Sequence, residues 1–308
     1  MTETDNQSPQ AGAGTANIAV IIPHYNDVVR LERCLSALVG KGGEGGVPQE
    51  WGADVDVVVV DNNSTDDIGP LRAAFPAVRF VVEKKAGAAE ARNRGVRETT
   101  APILFFLDAD CVPAPDWLDA GRRVAGNADV IGGRIDTFDE TAPPRSGAEA
   151  FEAVFAFHQR DYIERQGFSV TANLITSRAV FDATGEFRPG VSEDRDWCLR
   201  AGAKGFKLVH EDSLRVSHPT RSDWPALAKK WKRLSSEGFH LSGTDAAARI
   251  RWALRAIAVA LSAFAHIPKV MTSPALSSTI ERVRGIGTLF RIRLWRAGYM
   301  IWQAAGGE

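Results

Sequence analysis

The sequence has few cysteines and lacks the long apolar runs that cross a membrane. Its three cysteines, Cys34, Cys111 and Cys198, are far apart and outside any Cys-x-x-Cys pair. That excludes a disulfide scaffold and a cysteine-based zinc knuckle, and the three read as buried thiols. No stretch approaches the roughly 20 uninterrupted apolar residues of a transmembrane helix. Residues Met1 to Asn17 are polar and lack the basic-then-apolar order of a signal peptide. No Gly-x-Gly-x-x-Gly follows the first apolar run, which disfavours a dinucleotide-dependent dehydrogenase. A glycine-rich basic phosphate loop is also missing there, which counts against a nucleotidyltransferase, the runner-up enzyme class. The expected location is cytoplasmic, with peripheral attachment at the inner face of the cell membrane as a further expectation.

What is present is ordinary globular composition: 308 residues, 44% apolar and 24% charged. The net charge of -1 conceals a division. Between Arg221 and Met300 stand 14 lysines and arginines against 4 acids, while the rest of the chain holds 23 basic and 34 acidic residues. A basic back part implies an anionic counterpart.

Residues 1–16 are polar and aperiodic, and are expected to be a disordered leader. Four short apolar runs follow: Ile18 to Ile22, Asp54 to Val60, Val78 to Val82 and Ile103 to Leu107. Each has the pattern of a strand buried on both faces. Helical spacing separates them, over Val28 to Val39, Asp66 to Phe75 and Ala88 to Glu98. Alternating strands and helices predict an α/β fold with a mostly parallel sheet. The Gly40 to Gly52 tract reads as a surface loop, Asp129 to Gly132 as a further strand, Pro115 as the place where a helix begins, and Ala148 to Arg165 as one helix. The expected division is 17–220 for an α/β domain and 221–308 for a basic helical region.

In an open parallel sheet, ligands bind where the strands end. Here the first strand ends in Pro23-His24-Tyr25-Asn26, the second in Asp61-Asn62-Asn63-Ser64, and the fourth in Asp108-Ala109-Asp110. Asp108 and Asp110 are two apart, so their carboxylates project to one side and repel unless a cation lies with them. Oxygen ligands of this kind suit Mg2+ or Mn2+ shared with substrate phosphates. Asp61 reads equally as the cap of the following helix and as an acceptor for a nucleotide's base or ribose.

These pieces resemble family 2 glycosyltransferases of the GT-A, Rossmann-like fold. The likeness rests on Ile21-Ile22-Pro23-His24-Tyr25-Asn26, Val59-Val60-Asp61-Asn62-Asn63-Ser64, Gly87 to Gly95, Phe106-Leu107-Asp108-Ala109-Asp110, Thr171-Ala172-Asn173 with Gly185-Glu186-Phe187, and Ser192-Glu193-Asp194, all in the family's order. The resemblance implies an inverting, metal-dependent enzyme that takes a nucleotide-diphosphate sugar donor and a glycan or lipid-linked acceptor. By the same resemblance Pro23, Tyr25 and Asn26 would line the nucleotide pocket, Asp61 would hold the base, and Arg92 would lie near the donor. Asp108 and Asp110 would be the metal and sugar-nucleotide motif, Asp110 binding Mn2+ or Mg2+ directly, with His218 a further metal or diphosphate ligand. Asn173 is expected to contact donor sugar or acceptor, and Lys232 or Arg233 to close over the diphosphate. Asp194 is the expected base and Glu193 its positioning partner. The same two acids also suit the first turn of a helix capped by Ser192, and Trp197 is expected to pack rather than bind. A catalytically silent sugar-nucleotide-binding or RNA-binding protein is the rival of another class, disfavoured by the retained acidic pair. No nucleic acid partner is expected, and no oligomeric state follows from the sequence. The arginines between Arg282 and Arg296 do not gather on one helical face, so the expected contact with an anionic membrane rests on charge more than on amphipathicity.

Overall fold

The computed structural model describes residues 16–39, 54–243 and 245–307. The expected leader, apart from Ala16, and the Gly40 to Gly52 loop lie outside them. In chain order the elements are β1 Ile18–His24, α1 Val28–Val39, β2 Val55–Asp61, α2 Gly69–Ala74, β3 Arg79–Val82, α3 Ala88–Arg97, β4 Ile103–Leu107, β5 Val112–Pro113, α4 Trp117–Val124 and β6 Val130–Phe138. There follow α5 Gly147–Phe155, α6 Gln159–Gln166, β7 Asn173–Ser177, α7 Arg178–Thr184, α8 Glu193–Ala203, β8 Leu208–Pro219, α9 Trp224–Ser242, α10 Ala246–Ala265, α11 Ile267–Met271 and α12 Thr279–Ala304.

One mixed sheet runs β3-β2-β1-β4-β7-β6-β8-β5. The first four strands are parallel, as their continuous apolar runs predict. Both faces are covered. Val20 and Ile22 pack with Leu31, Cys34, Leu35 and Leu38 of α1, and Ala19 and Ile21 pack with Ala89 and Val96 of α3 on the other side. The approach of α3 requires Gly95, because a Cβ there would sit 2.4 Å from Ile21 Cγ2. β7 then pairs antiparallel with β4, setting Asn173 opposite Leu107, and β6 and β8 pair in parallel beyond it. All three cysteines are buried. Trp197 is buried against Phe181 and Phe187, with its indole N–H given to the Gly185 carbonyl.

Two expectations of local structure are corrected. The segment Ala148 to Arg165 is two helices, α5 and α6, broken at Ala156 to His158, where Phe157 has φ 50°. Helix α2 begins at Gly69 rather than Asp66, because Asp67 Oδ1 turns back to accept the Gly69 amide.

The C-terminal region is helical, and side-chain caps define its starts. Asp223, Asp245 and Ser278 accept backbone amides at the first turns of α9, α10 and α12, each a contribution of about 1 kcal/mol. Among the described residues no helix is long and apolar enough to cross a membrane.

Candidate active site

The carboxyl ends of the parallel strands open into a cleft of about 580 Å3. Pro23, His24 and Tyr25 reach it from the end of β1, Arg92 from α3, Asp108 and Asp110 from the turn after β4, and Glu193 and Asp194 from the start of α8. His218 of β8, with Arg221, Lys230 and Arg233, completes the polar lining. These positions are far apart in the chain, and the sheet topology brings them together.

Arg92 is the buried hub. Its Nη2 donates to Asp108 Oδ1 at 2.6 Å and its Nη1 to Glu193 Oε1 at 2.9 Å. Burial works against its charge, but Asp108 and Glu193 outweigh burial and hold the guanidinium pKa above its usual value. Glu193 is thereby fixed by a counter-ion, whereas Asp194 is not. Among the described residues Asp194 Oδ1 accepts from the Ser192 hydroxyl at 3.0 Å and the Arg195 amide at 2.7 Å. Burial, and then the neighbouring Glu193 charge, push the Asp194 carboxyl up to about 6 against those donors and Arg92. Ser192 stands at the helix start, yet its hydroxyl serves Asp194 and caps no backbone amide.

Asp110 faces His218 because β5 pairs antiparallel with β8, Val112 opposite Ser217. His218 Nε2 lies 3.1 Å from Asp110 Oδ2, and its Nδ1 donates to the Pro219 carbonyl at 2.7 Å. The carbonyl fixes the proton on Nδ1, so a neutral ring turns the Nε2 lone pair toward a carboxylate. Two acceptors so placed require a proton or a cation between them. Burial pushes the Asp110 pKa up, but the charge and hydrogen bond of a protonated His218, together with Arg221 and Arg30, outweigh it and keep the carboxyl below its usual range.

A cationic wall stands beside this pair. Glu152, nearly fully buried, accepts from Arg221 and from Lys230 Nζ at 2.7 Å. Lys230 Nζ also lies 5.3 Å from the Phe157 ring, whose other neighbour is the His218 imidazole at 4.5 Å. This packing accounts for the break after α5, since Phe157 takes its left-handed backbone to enter the site. Burial lowers the Lys230 pKa, and Glu152 only partly restores it.

Several expected residues lie off this lining. Asn26 uses its side-chain oxygen to hold the amides of Thr65 and Asp66, fastening the loop after β2 to the one after β1. Asp61 is buried, where it meets His24 Nδ1 at 3.1 Å and accepts the Ser64 amide. It does not cap α2. Asn173 has no exposure and spends its polar atoms on the Trp117 indole and the carbonyls of Arg134 and Leu214. An Asn173 contact with sugar is therefore corrected to a post that holds β6, β7 and β8 together. Lys232 projects over the Tyr299 ring of α12, 5.9 Å from its centroid, while Arg233 lines the cleft. Sequence reasoning missed Lys230 and Arg221. The signal was the helical spacing of Lys230, Arg233, Leu234 and Leu241, which Lys232 leaves.

The residue types fit a divalent cation shared with a phosphate ligand. Among the described residues no group of three His, Cys, Asp or Glu forms a closed cage. Asp110 and His218 instead offer a partial set, which suits an ion completed by substrate oxygens.

Against known sequences, residues 19–185 match glycosyl transferase family 2 and residues 103–301 match glycosyl transferase family group 2. The chain is 27% identical over 226 residues to glycosyltransferase AglE of Haloferax volcanii, covering 70% of this chain and 71% of that one. It is 26% identical over 238 residues to the pre-mycofactocin glycosyltransferase of Mycobacterium tuberculosis, covering 71% of this chain but only 46% of the relative. In fold it is similar to the mannosyltransferase PcManGT from Pyrobaculum calidifontis, solved in complex with GDP-Man and Mn2+. That likeness has a TM-score of 0.51 at 16% identity and covers 98% of this chain and 80% of the other.

Proposed function

The chain belongs to glycosyl transferase family 2, and from that premise we propose that it transfers a sugar from a nucleotide-diphosphate sugar to a hydroxyl of a glycan or lipid-linked acceptor, in one inverting displacement. The observation that carries this reading is the cleft itself, where the Asp110–His218 pair and the Asp194 carboxylate, which has no ion-pair partner among the described residues, share one lining. Asp110 and His218 are the residues that would hold Mn2+ or Mg2+, with Asp108 beside them. Such an ion supplies charge to stabilise the departing diphosphate.

Asp194 takes the acceptor hydroxyl proton on its carboxylate, and its pKa of about 6 leaves it ionised and basic at neutral pH. Glu193 is held by Arg92, so it orients the helix start instead of competing for the proton. Lys230, Arg221 and Arg233 lie where diphosphate oxygens need cationic partners, and burial makes such partners stronger than they would be in water. Tyr25, largely exposed at the rim, and Pro23 offer an apolar ledge for the nucleoside. In this reading 17–220 is the catalytic domain, and the helical region 221–308 lends α9 as one wall of its cleft. The complex of PcManGT with GDP-Man and Mn2+ supports the choice of donor class and cation.

A screen of nucleotide sugars with Mn2+ or Mg2+, reading released nucleoside diphosphate, tests the proposal. Wild type turns over one donor, and Asp110→Ala and Asp194→Ala each lose at least about 100-fold, the scale of a lost general base or charge stabiliser. Full turnover in both variants overturns it.

A further inference from the structure

Helix α10 is apolar on two opposite faces. Ala248, Trp252, Ala256 and Ala263 are buried against the protein. On the other side Ile250, Leu254, Ile257, Leu261 and Phe264 recur at helical spacing, each 53% to 63% exposed. A helix apolar on both faces shows little net amphipathic bias along its sequence, so the sequence alone does not separate the outward stripe from the buried one.

Next to it α12 exposes Ile280, Val283, Leu294 and Ile301, and the Phe264 and Phe290 rings meet at 4.9 Å where the two helices join. Cations outnumber acids around this surface, where Asp245, the cap of α10, is an exposed acid. Arg251 and Arg255 of α10 and Arg284 and Arg291 of α12 are exposed, α10 contains no acid, and the one acid of α12, Glu281, is buried. Contiguous exposed apolar surface of this kind marks an interaction site. Three arginines within the twenty residues of α10 bar it from spanning a bilayer, but cations beside an apolar stripe suit a helix lying in the headgroup layer.

We propose that the outward faces of α10 and α12 dock in the plane of a bilayer that contains anionic phospholipid. α9, which forms a wall of the cleft, ends just before α10 begins, so docking holds the cleft beside the lipid surface. Docking itself requires nothing of the cleft's chemistry, and the two claims fail separately.

The test is flotation of the full chain with phosphatidylcholine vesicles, with and without phosphatidylglycerol, at low and high salt. Wild type is expected to float with the phosphatidylglycerol vesicles and to be released by salt. Leu254→Glu/Leu261→Glu is expected to partition at least about tenfold less, since each substitution places a charge on the docked face. Both positions are exposed, so thermal melting of the double variant should match wild type. The milder Ile257→Ser gives an intermediate loss. Equal flotation of wild type and double variant overturns the proposal, as does wild type that never floats. It is also overturned if wild type is a dimer without lipid that the double variant turns into a monomer, because a second copy then covers the face.

Discussion

Arg92 Nη1 lies 2.9 Å from Glu193 Oε1, joining α3 to the first residue of α8 across 101 positions of sequence. The same guanidinium holds Asp108, so one cation couples the strand end that bears the Asp-x-Asp motif to the helix that carries Asp194. Replacing it by Met leaves two acids without their shared counter-ion. Arg92→Met should cost about 2–4 kcal/mol in urea unfolding, near the lower range for breaking a buried pair because Asp108 and Glu193 keep some water. Arg92→Lys should recover part of this stability but less of kcat, since one ammonium cannot repeat the two-armed contact.

The pH dependence follows from Asp194. A base acts when ionised, so kcat/KM should rise with pH through about 6 and level above it. Asp194→Asn should lower kcat by about 100-fold to 10,000-fold and remove that inflection. Stability runs the other way. The folded pKa lies above the ordinary value of 3.8, so the ionised carboxylate destabilises the fold above pH 6, and this cost vanishes as pH falls below 3.8. Asp194→Asn should therefore melt higher than wild type at pH 8, and the difference should disappear at acid pH.

Lys230 and Lys232 stand two apart in sequence and differ in their surroundings. Lys230→Met should raise KM for the donor and destabilise the protein, because Glu152 stays buried with Arg221 as its remaining cationic partner. Lys232→Ala removes a side chain that lies over Tyr299 and should change stability by no more than about 0.5 kcal/mol, with kinetics unaltered. Urea unfolding and initial rates separate the two.

Asp110 and His218 should act as one unit toward the cation. With chelator present wild type should lose turnover, and Mn2+ or Mg2+ should restore it. His218→Ala should demand at least about tenfold more ion for half-restoration, the scale of a lost ligand contribution. A titration of initial rate against Mn2+ reads this directly.

Much of the α/β part was legible in the sequence. Ala19 to Ile22 and Val57 to Val60 are buried on both faces, and such strands announce themselves as unbroken apolar runs. Of the polar residues at their ends, His24, Tyr25 and Asn62 fall at the cleft by the geometry of a parallel sheet, whereas Asn26 and Asp61 tie the loops beside it together. What was not legible depends on long-range packing. No glycine or proline marks the break at Phe157, which is set by the ring's place between His218 and Lys230. Asn173 looked like a ligand because it follows a family pattern, but its partners Trp117 and Leu214 are distant in sequence. The exposed stripe of α10 was legible only in part: the apolar run Ala256 to Ile267 reads as a buried or interfacial helix, and the same residue types serve both its buried and its outward faces.

The division of labour within the cleft is tested most directly by calorimetric titration of a nucleoside diphosphate with Mn2+ into wild type, Asp110→Ala and Asp194→Asn, each paired with its rate of sugar transfer. Asp110→Ala is expected to lose metal-dependent binding, while Asp194→Asn binds like wild type and fails to transfer. Metal-dependent binding retained by Asp110→Ala, or transfer retained by Asp194→Asn, would contradict it.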